Sequence, residues 1–214
     1  MLLASIALLQ AAPSATALKI LPHDSLIHID GRYKVTENGI IEFDAPGFRF
    51  NVVVSGANQL DILLISNGND QPHRFWIYID GVKSDLIIDT VGAPVGIAQT
   101  YPVVTDLGGS EHNINIVKAT EADYNRADPV YNTLSFSGFV LDNVNAKLRQ
   151  TDVRNSSESS RKIQFIGDSI TAGYCNMCNE VSDEFGMYAQ ESFAASWPFL
   201  VADRFDAAYQ AAGK

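Results

Sequence analysis

Between residues 18 and 148 the apolar positions come in short runs, separated by turn signals and without helical spacing. The runs are 40–43, 48–55, 60–66, 74–80, 86–89, 113–117 and 133–141. Short apolar runs bounded by Gly, Asn, Asp and Pro are the mark of β-strands. Alternation is plainest in Asn113-Ile114-Asn115-Ile116, which gives one apolar and one polar face. Asp80-Gly81 follows Phe75-Trp76-Ile77-Tyr78-Ile79 and is a tight-hairpin pair. Asn67-Gly68-Asn69-Asp70 and Gly108-Gly109-Ser110 mark further turns. At least seven short strands with no amphipathic helix among them predict an antiparallel β-sandwich over residues 18–150.

Further along, the pattern changes. Residues 150–161 hold one aliphatic side chain, Val153, in a polar stretch, which predicts a linker or surface connection over 151–161. Lys162-Ile163-Gln164-Phe165-Ile166 then reads as a strand and Gly167-Asp168-Ser169 as a tight turn. Ala194, Trp197, Leu200 and Val201 fall on one face of a predicted helix, with Pro198 in its first turn. Strand, turn and helix together form the opening unit of an α/β domain. The 48 residues from Gly167 onward compare with roughly 100–200 for such a domain, so 162–214 are expected to hold its N-terminal part.

Residues 1–9 are apolar apart from Ser5, and Ala15-Thr16-Ala17 places small residues where a signal peptidase reads. The expectation is a signal peptide over 1–17 and a secreted, extracellular protein; a buried N-terminal helix is the alternative. No apolar run reaches the roughly 18–20 residues that span a bilayer. The sequon Asn155-Ser156-Ser157 makes Asn155 a candidate glycosylation site.

Composition narrows the function classes. Hydrophobic residues at 46% and charged residues at 19% exclude a disordered chain. With 15 basic against 25 acidic residues the formal charge is −10, which argues against general binding to nucleic acid or anionic membrane. Two cysteines, Cys175 and Cys178, cannot build a disulfide-rich scaffold, and zinc needs about four ligands. A local disulfide is expected in a secreted protein, with free thiols or pairing to a cysteine outside these residues as the alternatives.

Ser169 lies at the carboxyl end of an apolar strand, where reactive groups gather in open α/β sheets. Gly167 permits a sharp bend before it, and a serine at a helix start offers its own N–H to a developing oxyanion. Helix capping by Ser169 is the competing reading. Phe75, Trp76, Tyr78 and Tyr101 are candidates for an aromatic sugar platform, or for one core face and incidental surface.

The block Lys162-Ile163-Gln164-Phe165-Ile166-Gly167-Asp168-Ser169-Ile170-Thr171-Ala172-Gly173-Tyr174 resembles the first conserved block of the SGNH (GDSL-type) hydrolases. Ile-Thr after the serine resembles carbohydrate esterase family 2, the acetyl xylan esterase-like group. Residues 111–121 and Phe136-Ser137-Gly138-Phe139-Val140-Leu141-Asp142 resemble that family's upstream segments. The resemblance implies a jelly-roll sandwich followed by an SGNH, flavodoxin-like hydrolase domain. The implied activity is removal of acetyl groups from plant cell-wall polysaccharide by serine acyl transfer. Neither metal nor organic cofactor is implied. Carried over by position, Ser169 is the nucleophile, Asp168 a turn-supporting acid, and Gly213 the candidate for an oxyanion-hole glycine. The family's base is a histidine from a late Asp-x-x-His block, and an Asn from a middle block completes the oxyanion hole. Neither block follows Ser169; His23, His28, His73 and His112 all precede it. Asp70-Gln71-Pro72-His73 mimics the late block in a predicted loop ahead of the serine. Residues 1–214 alone are therefore expected to lack appreciable esterase activity. The rival expectation is a non-catalytic carbohydrate-binding or structural β-sandwich.

Overall fold

The computed structural model describes residues 17–68, 72–122, 133–149, 161–178, 190–205 and 207–212. The predicted signal peptide (except Ala17), residues 151–160 of the predicted linker, Asn155 and Gly213 lie outside them. In chain order the strands are β1 (Leu18–Ile20), β2 (His28–Asp30), β3 (Tyr33–Val35), β4 (Ile41–Phe43), β5 (Arg49–Ser55), β6 (Leu60–Ser66), β7 (Arg74–Ile79), β8 (Val82–Asp89), β9 (Ala98–Val104), β10 (His112–Lys118), β11 (Leu134–Leu141) and β12 (Lys147–Arg149). Then follow β13 (Lys162–Ile166), α1 (Ser169–Ala172), α2 (Trp197–Arg204) and β14 (Ala208–Ala212).

Strands β1–β12 form two antiparallel sheets around one core. One runs β3-β4-β11-β6-β9 with β1 also on β11; the other runs β12-β5-β10-β7-β8 with β2 also on β5. Period-two burial builds each layer. In β6, Leu60, Ile62 and Leu64 are buried while Asp61, Leu63 and Ile65 are only partly so. Between the sheets, Phe43 stacks on Phe48 at 4.0 Å and Phe50 meets Phe136 at 4.4 Å, so aromatic rings fill much of the interior. Asp80 (φ +52°) and Gly81 (φ +81°) close the two-residue hairpin between β7 and β8, as their left-handed tolerance requires.

The predicted sandwich is present, with more strands than the apolar runs indicated. β1, β2, β3 and β12 are three residues each, too short to show a period. β9 contains Pro102, which an edge position tolerates because an edge strand leaves N–H groups unpaired. The predicted helical stripe is out of phase. Ala194 belongs to a separate 3₁₀ turn, Phe193–Ala195, and Ser196 is extended, which resets the rotation before α2 begins. The inward residues of α2 are Pro198 and Ala202, with Phe199 and Val201 half-buried; Trp197 and Leu200 stay 47% and 57% exposed.

β13 and β14 pair in parallel, Lys162 opposite Ala208 through Ile166 opposite Ala212. Parallel pairing requires a crossover, which α1 and α2 supply. Phe165, Phe193, Ala202, Tyr209 and Ala211 form the core of this β-α-β unit.

A seam joins the unit to the sandwich. The Phe193 N–H donates to the Ala119 carbonyl at 2.9 Å, and the Glu121 N–H to Glu191 Oε2 at 3.0 Å. The buried Lys118 ammonium shapes that segment by donating to the Thr120 and Glu121 carbonyls, both at 2.8 Å. Gly47 (φ +73°) packs so closely on Phe193 that a Cβ there would lie 2.2 Å from the ring. The Tyr209 hydroxyl donates to the Gly47 carbonyl at 3.2 Å, and the Arg49 guanidinium sits 5.4 Å from the Tyr209 ring centroid. Arg49 is itself held by both Nε and Nη2 on Asp30 Oδ2. Burial of Asp30 works against its charge, but the His28 contact and the Arg49 cation outweigh it and hold the carboxyl below its ordinary range.

Burial pushes the Tyr209 phenol up to about 12, against the opposing pull of Arg49. The folded state keeps this proton where an unfolded tyrosine, near 10, releases it. Stability linked to this proton is thus complete below pH 10 and lost as pH rises through 12, on the order of 3 kcal/mol in all. Tyr209→Phe has no proton to release and so escapes that loss, but it gives up one hydrogen bond worth roughly 1 kcal/mol at every pH. In urea unfolding the wild type is expected to be the more stable at pH 9 and the less stable approaching pH 12. Parallel pH profiles would contradict that.

Candidate active site

β13 delivers its chain end into a turn that the local sequence makes unusually tight. The Gly167 N–H donates to the Ala212 carbonyl at 2.9 Å, extending the parallel ladder by one residue. The buried Thr171 side chain then folds under Gly167, where a Cβ would meet its Oγ1 at 2.0 Å. Only glycine leaves room for that approach.

Asp168, not Ser169, caps α1. Its Oδ1 accepts the Ile170 N–H at 3.1 Å from an extended backbone, the ordinary N-cap geometry. Ser169 is the first helical residue, half-buried, and its hydroxyl makes no hydrogen bond among the described residues. An N–H at that position has no intrahelical acceptor, so Ser169 offers both a hydroxyl and a free backbone donor at the strand end. A cavity of about 600 Å³ opens beside this turn, lined by Ile166, Gly167 and Ala212 and by sandwich residues of β3 and β4.

After α1 the chain turns through Cys175 and Cys178, which are joined by a disulfide with Cα atoms 5.0 Å apart. Asn176, between them, brackets Ser192: its Nδ2 donates to the Ser192 carbonyl at 2.7 Å and its Oδ1 accepts the Ser192 N–H at 2.9 Å. Through Ser192 and Phe193 the serine turn is tied to the sandwich. No local sequence signal announces Asn176 or Ser192. The four-residue loop limits the disulfide's contribution to about 2 kcal/mol. Cys175→Ser/Cys178→Ser is expected to leave the sandwich folded, and intact mass should rise by two hydrogens when the wild type is reduced. Two alkylatable thiols in the unreduced protein would contradict this.

All four histidines sit in the sandwich, and none hydrogen-bonds to Ser169 among the described residues. His73 is 1% exposed, its backbone N–H donating to Thr90 Oγ1 at 2.7 Å. His28 Nε2 lies 3.2 Å from Asp30 Oδ1. His112 forms a Ser–His–Asp chain that no sequence motif indicated: Nε2 is 2.8 Å from Ser110 Oγ and Nδ1 is 2.7 Å from Asp80 Oδ2. Nε2 also faces the Leu107 carbonyl at 3.1 Å. These contacts let the ring pin a loop to the β7–β8 hairpin.

The proposed aromatic platform does not assemble. Phe75 is fully buried in the core, Trp76 has Lys83 Nζ 2.8 Å from its ring centroid, and Tyr101 lies in the other sheet from Phe75, Trp76 and Tyr78. Alternation along β7 divides Phe75 from Trp76, which is what a half-buried strand does. Among the described residues no group of three His, Cys, Asp or Glu is arranged to hold a metal ion.

No family model matches the sequence, and no curated protein matches it. Solved structures do. A family two carbohydrate esterase from Cellvibrio japonicus is 20% identical with a TM-score of 0.72, over 92% of this chain and 52% of its own. An acetyl xylan esterase from the rumen bacterium Butyrivibrio proteoclasticus is 21% identical with a TM-score of 0.72, over 92% of this chain and 48% of its own. A family two carbohydrate esterase from Clostridium thermocellum, solved with cellohexaose, is 21% identical with a TM-score of 0.69, over 87% of this chain and 50% of its own. The fold of this chain is thus that of family 2 carbohydrate esterase structures, and the chain spans about half their length.

Proposed function

We propose that these residues carry the serine side of a secreted carbohydrate esterase that removes acetyl groups from plant cell-wall polysaccharide. One observation carries the reading: Asp168 takes the capping role, leaving the Ser169 hydroxyl uncommitted at the carboxyl end of β13. The fold likeness supports it, as does the strand order, in which β4-β11-β6-β9 faces β5-β10-β7-β8 in the manner of a jelly roll. Ser169 Oγ attacks the acetyl carbonyl, and its proton passes by way of a base to the departing sugar hydroxyl. Water then releases acetate from the acyl-serine. The Ser169 N–H and that of Gly213, next after β14, are the proposed backbone donors to the oxyanion. Signal cleavage after Ala17 leaves Leu18, the first residue of β1, at the new terminus.

The base is the open element, because residues 170–214 contain no histidine. The second reading is a carbohydrate-binding sandwich without catalysis. The experiment that separates them is to read the genomic sequence after codon 214 and express the frame it gives. Asn and Asp-x-x-His blocks, with acetate released from acetylated xylan, are expected. A frame with neither block and no turnover would overturn the esterase reading.

A further inference from the structure

Tyr33 lies on β3, the edge strand of its sheet, opposite Phe43 of β4. Its side chain is unlike the surface aromatics of the rest of the sandwich. The residue is 49% exposed, yet the ring is fixed edge-on against the fully buried Phe48, centroids 6.2 Å apart at 80°. Open space lies on two sides of it: the cavity of about 600 Å³ at the serine turn and a second of about 360 Å³ beside Gln164 and Gln210 both include Tyr33 in their walls. Tyr33 is the sandwich residue where the two cavities meet, facing the β13–β14 pair.

We infer that Tyr33 is the stacking platform of a carbohydrate subsite by which the sandwich holds the polysaccharide backbone beside the Ser169 turn. The inference rests on the esterase reading for its location and on the cavity for its chemistry. A pyranose presents an apolar C–H face ringed by hydroxyl groups that both donate and accept. An ordered, half-exposed aromatic ring matches the face, at little conformational cost because Phe48 already fixes it. Around the ring, Arg32 and Lys34 supply donors, and Glu42 and Asp44 acceptors. Lys34 and Glu42 approach only to 3.8 Å, with Lys34 largely exposed, a pairing weak enough to yield to a ligand. The mixture of signs and the net charge of −10 favour a neutral polyhydroxylated chain over a polyanion. The larger cavity falls within the roughly 300–1,000 Å³ of small-molecule sites, and it ends at Gly167, two residues before Ser169.

Xylohexaose binding to the full chain, followed by calorimetry or ligand-observed NMR, tests this directly. Tyr33→Ala should weaken binding about tenfold, Tyr33→Phe should retain it, and Trp76→Ala, in the opposite sheet, should leave it unchanged. Circular dichroism melts establish that each variant is folded. Binding by Tyr33→Ala equal to wild type, or no binding by the wild type at millimolar xylohexaose, overturns the inference. Failure of the subsite and failure of the esterase reading are distinguishable. A protein that hydrolyses 4-nitrophenyl acetate but ignores xylohexaose keeps the esterase and loses the subsite; one that binds through Tyr33 without hydrolysis does the reverse.

Discussion

Ser169→Ala is expected to remove essentially all ester hydrolysis from the active protein, by up to roughly 10⁶-fold, while leaving its melting temperature unchanged. The size follows from the chemistry. Without an attacking oxygen there is no acyl intermediate, and what remains is the modest acceleration from binding and oxyanion donors. The intact fold follows from the structure. The Ser169 side chain is half-buried, makes no hydrogen bond among the described residues, and leaves the cap to Asp168, so alanine at the first helical position disturbs nothing it packs on. Asp168→Ala should do the opposite, costing about 1 kcal/mol through the lost cap and lowering the rate only as far as the turn loosens. Acetate release from acetylated xylan, read beside thermal melts of the same samples, separates the two. Near wild-type turnover in Ser169→Ala would mean that another residue attacks.

The second large effect concerns stability. Gly47→Ala places a methyl group 2.2 Å from a Phe193 ring carbon, at a backbone φ of +73° that disfavours any side chain. The ring is fully buried and hydrogen-bonded backbone fixes both ends of the contact: Phe193 N–H to Ala119, Gly47 N–H to the Lys118 carbonyl. Neither partner can retreat cheaply. Expelling the ring costs about as much as deleting it, roughly 3–5 kcal/mol. Phe193→Ala alone should cost a similar amount through the cavity it leaves. Together they should be strongly non-additive, because the smaller side chain at 193 accommodates the new methyl and leaves only the backbone term of about 1 kcal/mol. Urea unfolding of the four proteins in that cycle measures the coupling. Additive losses would show that Gly47 and Phe193 act on stability independently and not through this one contact.

Legibility in the sequence followed the range of the interactions. β10 declares itself because alternate residues face core and solvent, and Asp80-Gly81 because few other pairs turn a strand in two residues. The serine turn was readable for the same local reason: the Gly167–Thr171 approach and the Asp168 cap on Ile170 each span four residues or fewer. α2 was placed but misphased, since an extended Ser196 interrupts the count that a periodic pattern assumes. The seam was not readable at all. The Tyr209 hydroxyl and the Gly47 carbonyl are 162 residues apart, and neither residue type advertises the other. Tyr33 escaped for a related reason: a three-residue edge strand carries no pattern, and its ring acquires meaning only from the cavities that the fold opens around it.

The contact between Gly47, Arg49, Ala119 and the β-α-β unit bears on how such a protein can be rearranged by recombination. A sandwich and a catalytic unit connected only by a tether are interchangeable parts; either could be inherited or engineered separately. Here the second unit borrows its footing. A chimera that joined residues 161–214 to an unrelated sandwich would leave the Phe193 N–H and the Tyr209 hydroxyl without their acceptors, and Tyr209 without its guanidinium neighbour. Transplantation therefore has to carry the 45–49 and 118–121 segments as well, so the heritable piece is the pair of units with their shared boundary.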